Sequence, residues 1–304
     1  MDLGRLAQFL GASVWHRVPV SRRAAVLVLL FVGRAGEWRV VLTRRLARLR
    51  SFPGHILLPG GKADTGLELA FMVARREACE EIGLGREEAF GARVEPVAEL
   101  PCYLLRTLLA VRPCVAVLHA PDGAADLGLR LNPGESLAIF LCPLADFFPG
   151  AGAAEAILRL NQLVKWGGVP WHLRLVTFAR ENEREAPWLR GLDDADSASE
   201  EDEAGEKHEW GPRGARRNSA NTPIYDVWGL TANILHDILA VVHGKAPAPF
   251  GQEELISALW RHGHMRDERL ALEKSLIADL GASFGALLPR AEMVRLRGLY
   301  ALNI

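Results

Sequence analysis

Cysteine is scarce in this 304-residue chain, at four positions: Cys79, Cys102, Cys114 and Cys142. None of them stands at the short paired spacing of a thiolate-bound metal site, and their apolar neighbours predict reduced thiols inside a core. Zinc held by cysteines is therefore excluded. Net charge is nearly absent as well. Thirty-six basic against thirty-seven acidic side chains leave no global field to draw in nucleic acid, so any basic substrate site has to be local. Long apolar runs are missing too: Ala24 to Val32 is only of strand length, and a membrane-crossing helix needs about twenty residues. With no secretory signal in view, these absences point to an intracellular enzyme-sized chain, with one domain plus appendages rather than two equal domains.

What the chain does have is concentrated between Leu42 and Leu84. Ile56, Leu57 and Leu58 form a short apolar run that ends at Pro59, and Gly60 and Gly61 then permit a sharp turn. Thr65 followed by Glu68 is a capping-box pattern, which predicts a helix from near Gly66 to about Ile82 with Gly83 as its stop. Leu67, Ala70, Phe71, Ala74 and Ala78 recur at helical spacing as the buried stripe.

Glu77, Glu80 and Glu81 lie side by side on the flank of that stripe. Like charges at this spacing cost a few tenths of a kcal/mol, and acids in a last turn oppose the helix dipole by roughly 0.3–1 kcal/mol. Arg76 can pair with Glu80 one turn on, but Glu81 falls at the edge of the apolar stripe, where an unpaired carboxylate is expensive. A hard divalent cation among these carboxylates and a nearby carbonyl would remove the conflict. By itself an Arg-Glu-x-x-Glu-Glu helix is commonly a solvated face; the adjoining glycine turn is what makes it a candidate site.

The segment from Gly61 to Leu84 resembles the Nudix box, a loop-helix-loop element containing Arg-Glu-x-x-Glu-Glu-x-Gly. Arg76 through Leu84 matches without gaps, but six residues separate Gly61 from Glu68 where the box usually has five. Either the loop carries one extra residue or Leu67 holds the usual acidic position. The preceding stretch, Leu42-Thr43-x-Arg45 or Arg44 read one position earlier, then Leu49-Arg50, Gly54, Ile56 and Pro59-Gly60-Gly61, is similar to the signature of Nudix enzymes that cleave coenzyme A. Leu58 stands where that signature commonly has phenylalanine. A further echo, Trp228-Gly229-Leu230-Thr231-Ala232, is similar to a run near the end of that subfamily's catalytic domain.

The resemblance implies an α/β Nudix fold, a mixed β-sheet sandwiched between α-helices, over residues 23–243. It also implies Mg²⁺ or Mn²⁺ bound by Gly61, Glu77, Glu80 and Glu81, with Arg76 holding the glutamates in place. Arg44, Arg50, Gly60 and Gly61 would meet the substrate, since guanidinium forks suit phosphate oxygens. The implied reaction is hydrolysis of the diphosphate of coenzyme A or its thioesters to adenosine 3′,5′-bisphosphate and (acyl-)4′-phosphopantetheine. The rivals are a Nudix hydrolase for ADP-ribose, dinucleotides or oxidised nucleoside triphosphates, and a binding protein that kept the fold and lost the chemistry. Retention of all three glutamates weighs against the last.

Around this centre, residues 1–22 place Leu3, Leu6, Phe9 and Leu10 at helical spacing, predicting a short amphipathic helix. The arginines there fit a targeting peptide, but Asp2 and few serines argue against one. Ala24–Val32 and Trp38–Leu42 predict a hairpin; Val94–Leu100, Val111–Leu118 and Leu137–Leu144 predict strands, and Val164–Ala179 a strand pair. Glu135 matches a position often acidic in the family and is either a metal ligand or base, or a loop-end glutamate. His172 is expected to be structural.

Residues 181–221, rich in Asp and Glu with serine, alanine and glycine, are expected to be a disordered insertion. Leu230–Val242 predicts a helix on the sheet face opposite the box helix. Residues 246–304 predict a proline-rich break and then two or three amphipathic helices, with a lid and a homodimer surface both open as their role. The C-terminal Leu302-Asn303-Ile304 is unlike the Ser-Lys-Leu peroxisomal address, so a cytoplasmic, peroxisomal or mitochondrial setting all remain expectations.

Overall fold

The computed structural model describes residues 3–8, 13–46, 49, 52–85, 94–119, 129–132, 134–150, 155–181, 215–245, 250–279 and 281–301. At its centre is β1 (Arg23–Val32), whose residues from Ala24 onward are apolar because both of its faces are buried. Ala25, Leu27, Leu29 and Phe31 enter one core and Val28 and Leu30 a second.

β1 pairs antiparallel with β2 (Trp38–Arg45), as the hairpin pattern predicts. β3 (Ile56–Leu57) lies on β2, and β4 (Gly60–Lys62) lies antiparallel on β1 with Ala25 opposite Gly61 and Val26 opposite Gly60. After α1 (Ala70–Ile82) come β5 (Val94–Glu99), β6 (Tyr103–Leu104), β7 (Ala110–Leu118) and β8 (Ser136–Pro143). The β1–β7 pairing is parallel and the others antiparallel, so this eight-stranded sheet is mixed.

Each face of the sheet receives helices. Ala70, Val73, Ala74, Ala78 and Ile82 of α1 join the first core. α2 (Gly229–Val242) covers the opposite face, where Ile234, Leu235, Ile238 and Leu239 share the second core with Val28, Leu30, Val40 and Leu42. That placement is the expected one.

A second, four-stranded antiparallel sheet packs on the same side as α2. It is built from β9 (Ala156–Trp166), β10 (Val169–Ala179), β11 (Ala215–Arg217) and β12 (Pro223–Trp228), in the order β11-β12-β10-β9. The sequence predicts only a strand pair from Val164. The β9 side chains Ile157, Leu158, Leu160 and Leu163 are exposed, so no buried periodicity marks this edge strand.

The expected insertion at 181–221 is narrower at its C-terminal side. Ala215–Arg217 is a strand, and the Asn218 N–H donates to the Thr222 carbonyl at 3.0 Å. Residues 182–214 lie outside the described residues. At the N-terminus, Leu3–Gln8 is a 3₁₀ rather than an α-helical segment, with Leu6 fully buried in the second core.

Three helices end the chain: α3 (Glu253–Arg261), α4 (Ala271–Ala278) and α5 (Arg290–Ala301). Leu255, Ile256, Leu259, Met293 and Leu296 bury into the same core as α1. Two glutamates bind these helices to the start of the chain. Glu253 Oε1 accepts from the Ser13 hydroxyl at 2.6 Å and the Cys102 N–H at 2.8 Å, and its Oε2 from the Val14 N–H at 2.7 Å. Glu273, fully buried, accepts from Arg22 Nη2 at 2.8 Å and from the Met265 N–H at 2.7 Å. Among the described residues no helix is long and apolar enough to cross a membrane. Cys102, Cys114 and Cys142 are buried free thiols, as their neighbours predict.

Candidate active site

The glycine turn and the last two turns of α1 meet because β4 is pressed onto β1. A Cβ on Gly60 would stand 2.4 Å from the Ala25 carbonyl oxygen, and one on Gly61 would stand 2.3 Å from the Glu77 carboxyl group. At Gly60 the obstacle is backbone, which only glycine avoids; at Gly61 it is the end of the Glu77 side chain. α1 ends at Gly83, which takes the left-handed conformation (φ 64°) of a C-terminal cap. Residues beyond it fold back over the helix end, where the Arg130 N–H donates to the Ile82 carbonyl at 2.9 Å and the Asn132 N–H to that of Glu81 at 3.2 Å.

The helix starts at Ala70, four residues later than the capping pattern predicts. Glu68 does reach back, accepting from the N–H groups of Asp64 at 2.7 Å and Thr65 at 3.3 Å. Its other oxygen accepts from Arg76 Nε at 2.9 Å, so it closes a loop rather than a first helical turn. This answers the spacing question left by the sequence. Glu68 is the acidic residue of the loop, which carries one extra residue, while Leu67 is 92% exposed and not part of the buried stripe.

Arg76 is the hub of the exposed side of the cluster. Nη1 lies 3.0 Å from Glu77, 3.5 Å from Glu80 and 3.5 Å from Asp64, and Nη2 donates to the Lys62 carbonyl at 2.8 Å. Burial works against the charged guanidinium, but the bonds and charges of Glu68 and Glu77 outweigh it and hold Arg76 above its ordinary value. Burial likewise raises Glu77, Arg76 opposes it, and the charges of Glu80 and Glu135 add to the rise.

Glu81 is the buried member, 3% exposed. Its Oε2 accepts from the Gly60 N–H at 3.2 Å, and its Oε1 lies 3.4 Å from Arg45 Nη1. Burial pushes its carboxyl up to about 8 against Arg45 and Gly60, with Glu77 and Glu135 adding to the push. Glu135 thus bears on both carboxylates from the loop before β8. Its carbonyl also accepts from the Leu46 N–H at 3.1 Å.

The expected substrate arginines divide. Arg44 is 3% exposed and shares its β2 parity with Val40 and Leu42, the side turned away from α1. Arg45, one residue on across a register shift in the β2–β8 ladder, lies 3.4 Å from Glu81. Arg50 lies outside the described residues. The Arg45 N–H donates to the His55 carbonyl at 3.0 Å, and the His55 ring lies 5.3 Å from that of Trp228, bringing the Trp-Gly-Leu-Thr-Ala run to the edge of the site. His172 Nδ1 lies 2.8 Å from Asn161 Oδ1 on the β9–β10 hairpin.

As arranged, the carboxylates are held by guanidiniums and backbone donors, and among the described residues no three Asp, Glu, His or Cys side chains already form a metal cage. Two consequences are measurable. A raised Glu81 makes the folded state bind a proton that the unfolded chain, near 4.5, has released, so metal-free protein loses stability as pH rises from about 4.5 to about 8. Melting temperatures across that window should fall in the parent and fall less in Glu81→Gln. Gly61→Ala should displace the Glu77 carboxylate, a movable side chain, and lower activity with little change in melting temperature. Gly60→Ala meets backbone and should lower both.

The NUDIX domain model matches residues 21–160. A curated relative from Saccharomyces cerevisiae is 36% identical over 83% of this chain and 79% of its own length. The chain belongs to the Nudix family. That relative is named peroxisomal coenzyme A diphosphatase 1, and a Caenorhabditis elegans protein named peroxisomal coenzyme A diphosphatase is 32% identical over 41% of this chain and 50% of its own. Nudix hydrolase 15, mitochondrial, of Arabidopsis thaliana is 40% identical over 41% of each chain. Among solved structures, a C. elegans Ap4A hydrolase aligns with 40% of this chain and 81% of its own at 25% identity and a TM-score of 0.31.

Proposed function

We propose that this chain is a divalent-metal-dependent diphosphatase that cleaves coenzyme A or its thioesters into adenosine 3′,5′-bisphosphate and (acyl-)4′-phosphopantetheine. The observation that carries the reading is Glu81: a carboxylate almost wholly buried at a helix end, beside Glu77 and Glu135, stabilised by one N–H and one guanidinium. Such a group is retained at a cost to stability where it has chemistry to perform. The donor set fits a hard cation, since every candidate is an oxygen: the Gly61 carbonyl and the carboxylates of Glu77, Glu80 and Glu81. Bound there, Mg²⁺ or Mn²⁺ supplies positive charge to the diphosphate oxygens and acidifies a water for in-line attack.

The protein's own groups do the rest. Arg76 orients Glu77 and Glu80 through Nη1 while Glu68 and the Lys62 carbonyl fix its far side. Arg45 holds Glu81 and would meet a phosphoryl oxygen of the substrate, as Arg44 and Arg50 would on the resemblance. Glu81 and Glu135, whose charges oppose each other, are the two candidates to take the proton of the attacking water. The buried thiols suit a reducing intracellular compartment, and the peroxisomal and mitochondrial relatives favour an organelle.

A panel of coenzyme A, ADP-ribose, a dinucleoside polyphosphate and an oxidised nucleoside triphosphate, each with Mg²⁺ or Mn²⁺, tests the reading. Coenzyme A should give adenosine 3′,5′-bisphosphate with the highest kcat/KM. Turnover of ADP-ribose with coenzyme A left intact would transfer the reading to the rival substrate class.

A further inference from the structure

One face of α2 runs through Leu230, Asn233 and Asp237, at helical spacing. Leu230 packs with Val26, Leu105, Ala24, Leu109 and Val111 in a small apolar cluster that adjoins the second core through Val26 and Leu230. Val26 is the register partner of Gly60, so this cluster begins at the glycine turn. One helical turn further along the same face the chemistry changes. The Asn233 amide donates to the His172 carbonyl at 2.7 Å and accepts from Arg174 Nη1 at 3.0 Å, fixing both strand β10 and the guanidinium.

Arg174 is half-buried, and among the described residues its side chain bonds only to the neutral Asn233. The nearest acid, Asp237, is committed elsewhere: one oxygen accepts from the Tyr103 hydroxyl at 2.7 Å and the other meets His236 Nδ1 at 3.0 Å. Burial lowers Arg174 below its usual value, with Asp237 and Tyr103 opposing only in part. A desolvated guanidinium held by a neutral strut, with its nearest carboxylate tied to other partners, is stabilised by an arriving anion. Arg174 shares the β10 face of Val176, toward α2; Asn233, which holds it, lies one helical turn from Leu230, and the Leu230 cluster includes Val26, the register partner of Gly60, so the group lies on the α2 side of the glycine turn.

We infer that Arg174, positioned by Asn233, binds a phosphomonoester of the substrate remote from the diphosphate. The inference rests on the coenzyme A reading, because the only charge that molecule carries away from its diphosphate is the 3′-phosphate on the ribose. The opposite end of free coenzyme A, a neutral thiol, offers a guanidinium no anion. Arg174 would then discriminate coenzyme A from its 3′-dephospho form and from nucleotides lacking that group.

The test compares the full-length parent with Arg174→Gln and Arg174→Lys. Calorimetry measures binding of adenosine 3′,5′-bisphosphate and of adenosine 5′-monophosphate, and kinetics compare coenzyme A with 3′-dephospho-coenzyme A. The parent should prefer the bisphosphate by about 10- to 100-fold. Arg174→Gln should reduce that preference to within about threefold, leave monophosphate binding unchanged, and raise KM for coenzyme A alone; Arg174→Lys should restore part of it. Equal losses for both ligands, as a structural role would give, or no preference in the parent, would overturn the inference. If the parent cleaves neither coenzyme but Arg174→Gln still abolishes a bisphosphate preference, the anion site stands and the diphosphatase reading falls.

Discussion

Glu81→Gln should turn over coenzyme A roughly 10²–10⁴-fold more slowly than the parent chain, with no loss of folding. The substitution keeps the volume of the side chain and an oxygen able to accept the Gly60 N–H. It removes the negative charge facing Arg45 and the capacity to hold a metal ion or a proton. Because the parent carboxylate lies 3% exposed next to Glu77 and is pushed up to about 8, the metal-free Gln variant should melt at or above the parent at pH 8. Loss of turnover together with retained or raised stability separates a chemical role from a structural one. Parental kcat in a folded Glu81→Gln protein would refute the assignment.

Glu273→Gln should produce the opposite pattern, a large loss of stability. Arg22 and Glu273 are 1% and 0% exposed and 2.8 Å apart, and Arg22 Nη1 has no partner among the described residues. Removing the carboxylate charge leaves the guanidinium buried without its counter-charge, which typically costs about 3–5 kcal/mol. It also weakens the acceptor for the Met265 and Leu270 N–H groups. Thermal unfolding should shift downward by on the order of 10 °C, while kcat of the protein that remains folded at low temperature stays near the parent value. A shift of under about 1 °C would mean the C-terminal helices are held by their apolar contacts alone.

These two glutamates also mark how far the sequence can be read. Glu81 was legible because its conflict is local: helical spacing sets it beside Glu77 and Glu80 and at the edge of the apolar stripe, whatever the rest of the chain does. Glu273 gave no such signal, since its partner Arg22 is 251 residues away. Glu253, joined to Ser13 across 240 residues, was hidden for the same reason. The central strands could be read because burial on both faces makes them continuously apolar.

The misses have equally definite causes. The helix starts later than its capping pattern predicts because Glu68 bonds Arg76 instead of capping a first turn. The motif admits Arg44 and Arg45 alike, and it carries no sign of the register shift between them at which Arg45 meets Glu81. The second sheet was read only in part because β9 is an edge whose leucines face solvent.

The central claim is that a divalent ion sits among these carboxylates and brings the diphosphate to them. Anomalous diffraction from a manganese-soaked crystal tests it most directly. A peak within coordinating distance of the Gly61 carbonyl and of Glu77, Glu80 and Glu81, absent in Glu81→Gln, is the expected result. Carboxylates that keep their bonds to Arg76 and Arg45 in saturating manganese, with no ion between them, would contradict it.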